Sequence, residues 1–283
     1  MTKAWLITGV SSGLGRLLAE KALARGDRVV GTSRSADALN DIRKRYPEQL
    51  RIAALDLKDL GSLRSTVDHA FSDLGRIDVI VSNAGYGILG AAEETTDAQL
   101  RDIVDTNLLG SIALIRAALP HLRRQGSGRI LQVSSEGGQI TYPGFSLYHA
   151  TKWGIEGFVE AVAQEVESFG IALTLIEPGP ARTDFGGNLV QPEPLAAYMG
   201  TPAHQIREAA RNGSWVIKGD PDRMTDTMIR LADQTDPLPK RLVLGADAYA
   251  RVRAALTRRL EELDNQRAAA LAADFTDEEL ARL

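Results

Sequence analysis

The chain has no cysteine in 283 residues, which excludes disulfides, thiolate metal ligands and a cysteine nucleophile together. Histidine is scarce too, with four copies. His69, His121 and His204 are scattered without the spacing of a metal site, so no metal is expected. The fourth, His149, adjoins a tyrosine in a helical stretch, where neighbours face different ways, and no chemical role is assigned to it. The net charge of −4 and the lack of a long basic run leave no electrostatic footprint for nucleic acid. No apolar run looks long enough to span a bilayer, and "MTKAWLITGV" lacks the long apolar region and cleavage site of a signal peptide. A cytoplasmic location without a membrane partner is the resulting expectation. There is no internal repeat and no low-complexity tract.

What is present is an alternation. Short apolar runs ("KAWLITG", "RVVGTS", "RIAALDL", "DVIVSNAG", "GRILQVSS", "ALTLIEPG", "RLVLG") are separated by longer stretches with apolar residues every three or four positions. That pattern predicts an α/β fold: a doubly wound parallel sheet of about seven strands with helices on both faces, in one domain over residues 1–283. The alternation holds to about Gly179. The stretch from about 184 to 219 is rich in Pro, Gly and isolated large apolar residues, and predicts an inserted lid before the last strand. Tyr249, Val252, Leu256, Leu260 and Leu263 mark an extra amphipathic C-terminal helix, and "AADFTDEELARL" reads as a tail, together covering about 246–283.

"LITGVSSGLGRLLAE" sets Gly9, Gly13 and Gly15 at the passage from the first strand into the first helix. Glycines there allow a tight turn and let N–H groups approach a pyrophosphate at a helix N-terminus, although an ordinary strand-to-helix turn uses them as well. "SNAG", Ser82 to Gly85, follows the fourth strand where the chain would pass under the adenosine half of a dinucleotide, or else is a plain loop. Choice of cofactor falls to the end of the second strand. Ser33 stands where NAD sites commonly carry an acid and Arg34 follows it, which favours NADP(H) and leaves NAD(H) possible.

"SLYHATKWG" carries Tyr148 and Lys152 four apart. In a helix both lie on one face, where the ammonium could favour the phenolate. Lowering a tyrosine pKa from about 10 by about 3 units needs about 4 kcal/mol, roughly what a charge about 4 Å away supplies at an effective dielectric of about 20. Taken alone, such a pair is more often two solvated side chains.

These residues, with "TGVSSGLG", "LDLKD", "SNAG", "DTNLLGS", "QVSSEGG", "YHATK" and "EPGPARTDF" in that order, resemble the short-chain dehydrogenase/reductase family. The similarity is dense over residues 1 to about 190. It implies a Rossmann-like fold, and a catalytic set of Asn107, Ser135, Tyr148 and Lys152. Tyr148 would exchange the proton with the substrate oxygen and Ser135, rather than Ser134, would hold that oxygen. Lys152 would lower the Tyr148 pKa and bond the nicotinamide ribose, while Asn107 would hold a water leading to solvent. For the cofactor the resemblance implies Gly9, Ser11, Ser12, Gly13, Leu14, Gly15, Ser33, Arg34, Asp56, Leu57, Asn83, Ala84, Gly85, Tyr148, Lys152, Pro178, Gly179 and Thr183.

The implied activity is NADP(H)-preferring hydride transfer between nicotinamide and a small carbonyl or alcohol substrate. Phe185, Leu189, Tyr198, Met199 and Trp215 are candidates for the substrate pocket, or for packing of the lid on its own body. A catalytically silent dinucleotide sensor would be expected to lose the Tyr or Lys, and an extended-type epimerase or dehydratase usually has a different glycine spacing and a larger C-terminal part. Relatives pair through helices matching "LRDIVDTNLLGSIALIRAALPHL" and the one opened by Tyr148, so a homo-oligomer, dimer or tetramer, is expected. The 38 residues past the last strand exceed those of compact ketoacyl reductases and lean toward longer hydroxysteroid- or retinol-type relatives.

Overall fold

The computed structural model describes residues 2–235 and 237–282. Its centre is one parallel sheet of seven strands in the order β3-β2-β1-β4-β5-β6-β7. Chain order runs β1 (Ala4–Thr8), α1 (Gly13–Ala24), β2 (Arg28–Ser33), α2 (Asn40–Arg45), β3 (Leu50–Ala54), α3 (Leu60–Leu74) and β4 (Val79–Ser82). It continues through α4 (Asp97–Val104), α5 (Gly110–Gln125), β5 (Gly128–Val133), α6 (Ser146–Val166), β6 (Ile171–Pro178), α7 (Pro202–Arg211), α8 (Pro221–Asp233), β7 (Arg241–Leu244) and α9 (Ala246–Asn265).

The central strands are buried on both faces, which is why they read as unbroken apolar runs. On one side Leu6, Ile80, Ile130 and Leu175 meet Leu63, Val67, Leu114, Ala118, Ile155 and Val159 of α3, α5 and α6. On the other, Trp5, Ile7, Val29, Val81 and Leu131 meet Leu18, Ala22, Ile42, Met228 and Leu231 of α1, α2 and α8. After β3 the chain returns to place β4 beside β1 on the side away from β2. Winding therefore reverses between β1 and β4, and the crevice beyond their C-terminal ends is where such sheets bind ligands.

Two expectations need correction, and the inserted stretch proves to hold a helix. The helical stretch Asp97–Gln125, 29 residues long, does have the length and apolarity to cross a membrane. Its inward side, with Ile103, Leu114, Ile115, Ala118 and Leu122, is buried in the protein. The stretch from 184 to 219 contains α7, begun by Thr201, whose hydroxyl accepts from His204 N, with Pro202 in the first turn. And α9 does not bury its apolar stripe: Ala248, Val252 and Ala255 face inward, while Tyr249, Leu256, Leu260 and Leu263 are exposed. Polar ties hold this helix instead, with Arg251 on Glu136 at 2.8 Å and 3.0 Å, and Arg259 Nη2 on the Gln139 carbonyl at 2.7 Å. The tail includes two short helical pieces, Arg267–Leu271 and Asp277–Leu280.

Candidate active site

The turn between β1 and α1 is built for close approach. Gly9 and Gly13 have φ of +73° and +57°, values that side chains other than glycine rarely adopt. A Cβ on Gly15 would lie 2.3 Å from the Gly9 carbonyl and 2.4 Å from Asn83 Nδ2. Ser12 occupies the N-cap of α1 without a capping bond from its side chain, and no acid sits in the first turn. The opening N–H groups of α1 are thus not neutralised by a side chain, the arrangement that suits a phosphate. Leu14 packs onto the core under α1, and Ser11 is exposed beside it.

Asn83 stitches the two loops together with its amide, donating to Thr8 O at 2.9 Å and Gly9 O at 3.1 Å. Thr8 completes the stitch by accepting from Asn83 N and Ala84 N at 2.9 Å and 3.1 Å. Thr8 was not singled out from sequence, because a Thr inside an apolar strand gives no signal of its own.

At the end of β2, Ser33 is buried and Arg34 exposed. Arg34 shares its corner with Lys58, whose ammonium is 2.7 Å from Asp102, and its charge acts on both of those groups. Asp56 accepts from Lys58 N at 3.0 Å, and Leu57 is buried against Gly110, where a Cβ would approach it to 2.7 Å. Gly179 donates its N–H to Leu244 O at 2.9 Å and, with Pro178, ends β6. Thr183 caps no helix: its Oγ1 accepts from Phe185 N at 3.3 Å, and its Cβ lies 3.6 Å from where a Gly13 Cβ would stand.

The implied catalytic residues come from three elements. Asn107 sits in a π-helical bulge, Asp105–Leu109, joining α4 to α5; such bulges re-aim a side chain out of the regular helix and frequently mark functional sites. Its amide clamps Tyr86, accepting from Tyr86 N at 3.0 Å and donating to Tyr86 O at 2.8 Å, and donates to Thr151 Oγ1 at 3.3 Å. Gly85 lies beside it, where a Cβ would be 3.0 Å from Asn107 Oδ1. Ser135 follows β5, its Oγ accepting from Gly137 N at 3.0 Å, and its hydroxyl acts on the Tyr148 phenol. Ser134 points elsewhere, donating to Glu156 at 2.7 Å.

Tyr148 and Lys152 lie on one face of α6. The Lys152 ammonium is 5.5 Å from the centre of the Tyr148 ring and donates to Val133 O at 3.1 Å. Burial pushes the Tyr148 phenol up to about 12, opposed by Ser135 and reinforced by Glu136. Burial likewise pushes Lys152 down to about 8, opposed by the charge of Glu156. The expected lowering of Tyr148 by Lys152 is not seen: burial dominates the phenol, and Ser135 rather than Lys152 opposes it.

His149 is structural, as its ring binds Gly137 O at 2.8 Å through Nδ1 and accepts from Tyr142 N at 2.8 Å through Nε2. Aromatic side chains enclose Tyr148: Phe145 at 6.1 Å and, from the lid, Phe185 at 5.9 Å between ring centres. Trp215 packs edge-on to Phe145 at 6.3 Å. Phe185 and Leu189 also close over Gly87, where a Cβ would be 2.6 Å from Leu189. Tyr198 and Met199 stand apart: the Tyr198 hydroxyl bonds Glu93 at 3.0 Å, and Met199 is exposed. Phe145 went unnoticed in the sequence, being one aromatic among several near a turn.

A glycine cradle at the switch point of a doubly wound sheet, together with a half-buried Tyr148 and a buried Lys152 on one helix face, defines a dinucleotide-dependent class of architecture. The short chain dehydrogenase family model matches residues 3–194, and the chain belongs to that family of oxidoreductases. "Oxidoreductase BOA17" of Botryotinia fuckeliana is 40% identical over 253 residues, covering 88% of this chain and 90% of that protein. A short-chain dehydrogenase from Streptomyces avermitilis is 37% identical with a TM-score of 0.90, over 97% of this chain and 100% of the other. An alcohol dehydrogenase from Thermococcus sibiricus, solved with 5-hydroxy-NADP, is 25% identical with a TM-score of 0.71, over 86% and 96% of the two chains.

Proposed function

We propose that this protein is an NADP(H)-preferring dehydrogenase/reductase that interconverts an apolar aldehyde or ketone and its alcohol. The observation that carries the reading is the meeting of Ser135, Tyr148 and Lys152, with Phe145 and Phe185 walling the same phenol, in a fold whose first turn is the Gly9–Gly15 cradle. The dinucleotide's phosphates suit the N-terminus of α1, and Arg34 suits the added phosphate of NADP. Pro178, Gly179 and Thr183 stand on the side of the turn where the nicotinamide carboxamide would be held. When bound, the cofactor supplies the hydride.

The chain's own residues do the rest. Ser135 donates to the substrate oxygen and fixes it beside Tyr148. Tyr148 gives its proton to that oxygen in reduction and takes it back in oxidation. A phenol held at about 12 keeps its proton at neutral pH, which suits the acid role, and the base role needs the added positive charge of the loaded site. Phe185 and Leu189 exclude water and favour an apolar substrate body. Pairing of copies through α6 and through α5 with the bulge before it, where Trp153 and Leu109 are exposed, is part of the same reading.

The test is an NADPH-oxidation screen over aldehydes, ketones, ketoacyl thioesters and ketosteroids, with NADH in parallel. Turnover of apolar carbonyl compounds with NADPH ahead of NADH is expected; turnover restricted to polar or charged carbonyls would overturn the substrate class.

A further inference from the structure

Beneath the reaction centre lies a buried cluster of charges that hydride transfer does not require. Glu156 is one helical turn beyond Lys152 on α6 and almost wholly buried, at 3% exposure. It has no place in an apolar core: Ile155 and Val159 beside it serve that purpose, and burying a carboxylate costs free energy unless its partners compensate. Its partners are Ser134, just past the end of β5, and Arg241 of β7. Oε1 accepts from Ser134 Oγ at 2.7 Å, and Oε2 from Arg241 Nε at 3.1 Å. The same Arg241 Nε is 3.1 Å from Glu177, which is fully buried and accepts from Gln139 at 2.8 Å and 2.9 Å. Arg241 also pairs with Glu160 at the cluster's exposed edge.

We propose that Glu156 is a positioning residue of the reaction centre: its carboxylate holds Lys152 in the ammonium form inside the protein and anchors the strand end that presents Ser135. The inference rests on the reading of Tyr148 and Lys152 as the proton-transfer pair.

The geometry supports both halves. Lys152 and Glu156 are both buried and lie four apart on one face of α6, and the charge of Glu156 opposes the burial that drives Lys152 toward neutrality. Ser134, tied to Glu156, immediately precedes Ser135, so the carboxylate fixes the backbone from which Ser135 reaches Tyr148. Space is reserved for it, since a Cβ on Gly138 would come within 2.0 Å of Glu156 Oε1 and 2.8 Å of Ser134 Oγ.

The remaining charges do not substitute for it. On α6, Glu160 is partly exposed and directed to Arg241. On β6, Glu177 is raised to about 7, by burial first and then by the charge of Glu156; burial raises Glu156 as well, opposed by Ser134 and Arg241. From the α9 side, Arg251 neutralises Glu136, and Lys240, before β7, acts on Glu160.

The experiment is a titration of the lysine ε-carbons by NMR in the ligand-free full-length protein, with the pH–rate profile of carbonyl reduction measured beside it. In the unaltered protein Lys152 should titrate near 8. In Glu156→Gln, which keeps an acceptor for Ser134 but not the charge, the midpoint should fall by about one to three units, the usual effect of losing a nearby opposite charge. The alkaline limb of the rate profile should fall with it, and acid should restore the variant toward the parent. Glu156→Asp should keep most of the shift, and Glu160→Gln should leave Lys152 unmoved.

An unmoved Lys152 midpoint in folded Glu156→Gln overturns the proposal. If that variant does not fold, the Glu156 carboxyl carbon in the unaltered protein decides: ionised at neutral pH supports the proposal, protonated overturns it. Because the lysine titration needs no substrate, its failure is distinguishable from a failure to find turnover.

Discussion

Arg207 Nη2 of the lid helix α7 meets Glu94 Oε2 at 2.7 Å, and both side chains are buried. The Glu94 carboxylate also accepts from Leu195 N at 3.0 Å, so one acid fastens the lid to the loop after β4 at two points, while its bond from Ala91 N at 2.7 Å is internal to that loop. Removing one partner of a buried ion pair costs about 3 to 5 kcal/mol, because the other charge is left uncompensated. Arg207→Met should therefore lower the melting temperature and speed hydrogen exchange over residues 190–212, while the strands stay protected.

The latch also has a pH dependence. Burial pushes the Glu94 carboxyl up, but the N–H groups of Leu195 and Ala91 and the Arg207 charge more than offset it, leaving Glu94 below the ordinary carboxylate range. A group depressed in the folded state stabilises fully above its unfolded pKa, about 4.3, and loses that contribution as pH falls through the folded value. Lid exchange in the unaltered protein should accordingly quicken below about pH 4. Lid protection indifferent to both the substitution and acid would show that the pair fastens nothing.

The cofactor preference turns on Arg34 and the absence of an acid at Ser33. Hydrogen bonds to charged groups contribute about 1.5 to 3 kcal/mol, so Arg34→Ala should weaken NADPH binding by about 10- to 150-fold and NADH binding much less. Lys58, committed to Asp102 at 2.7 Å, is not placed to replace it. Equal losses for the two cofactors, measured by titration, would remove the argument for NADP(H).

Much of this architecture was legible in the sequence because its causes are local. Each of the seven strands is an apolar run a few residues long, and the glycines at Gly9 and Gly13 answer a backbone requirement met where they stand. Helix α7 was hidden inside a Pro- and Gly-rich stretch and α8 starts just past its end, although "TPAH" and "DPDR" carry the cap-then-proline signal of a helix start, and Asp220 does accept from Asp222 N and Arg223 N. The stripe on α9 misled for the opposite reason. Its periodicity is real, but the surface beneath offers room for alanines and valine, and the larger residues face outward. Glu156 gave no sign, because its partners lie 22 and 85 residues away in the chain.

The direction of the Tyr148 pKa was also beyond a spacing argument. Four residues place Lys152 on the right face, yet only the structure shows the ammonium 5.5 Å from the ring centre and turned to Val133 O. Burial then outweighs attraction, for phenol and amine alike.

The account stands on Tyr148 as the group that exchanges a proton with the substrate oxygen, and one variant tests it most directly. Tyr148→Phe keeps the ring between Phe145 and Phe185 and removes only the hydroxyl. With NADPH binding measured by titration on the same sample, turnover of any carbonyl substrate accepted by the unaltered protein should fall by at least about a hundredfold, the lower end of what a positioned proton donor contributes. NADPH affinity should change by less than about tenfold, since the variant keeps Lys152, Arg34 and the glycine turn. Undiminished turnover by a folded, NADPH-binding Tyr148→Phe protein would contradict the account.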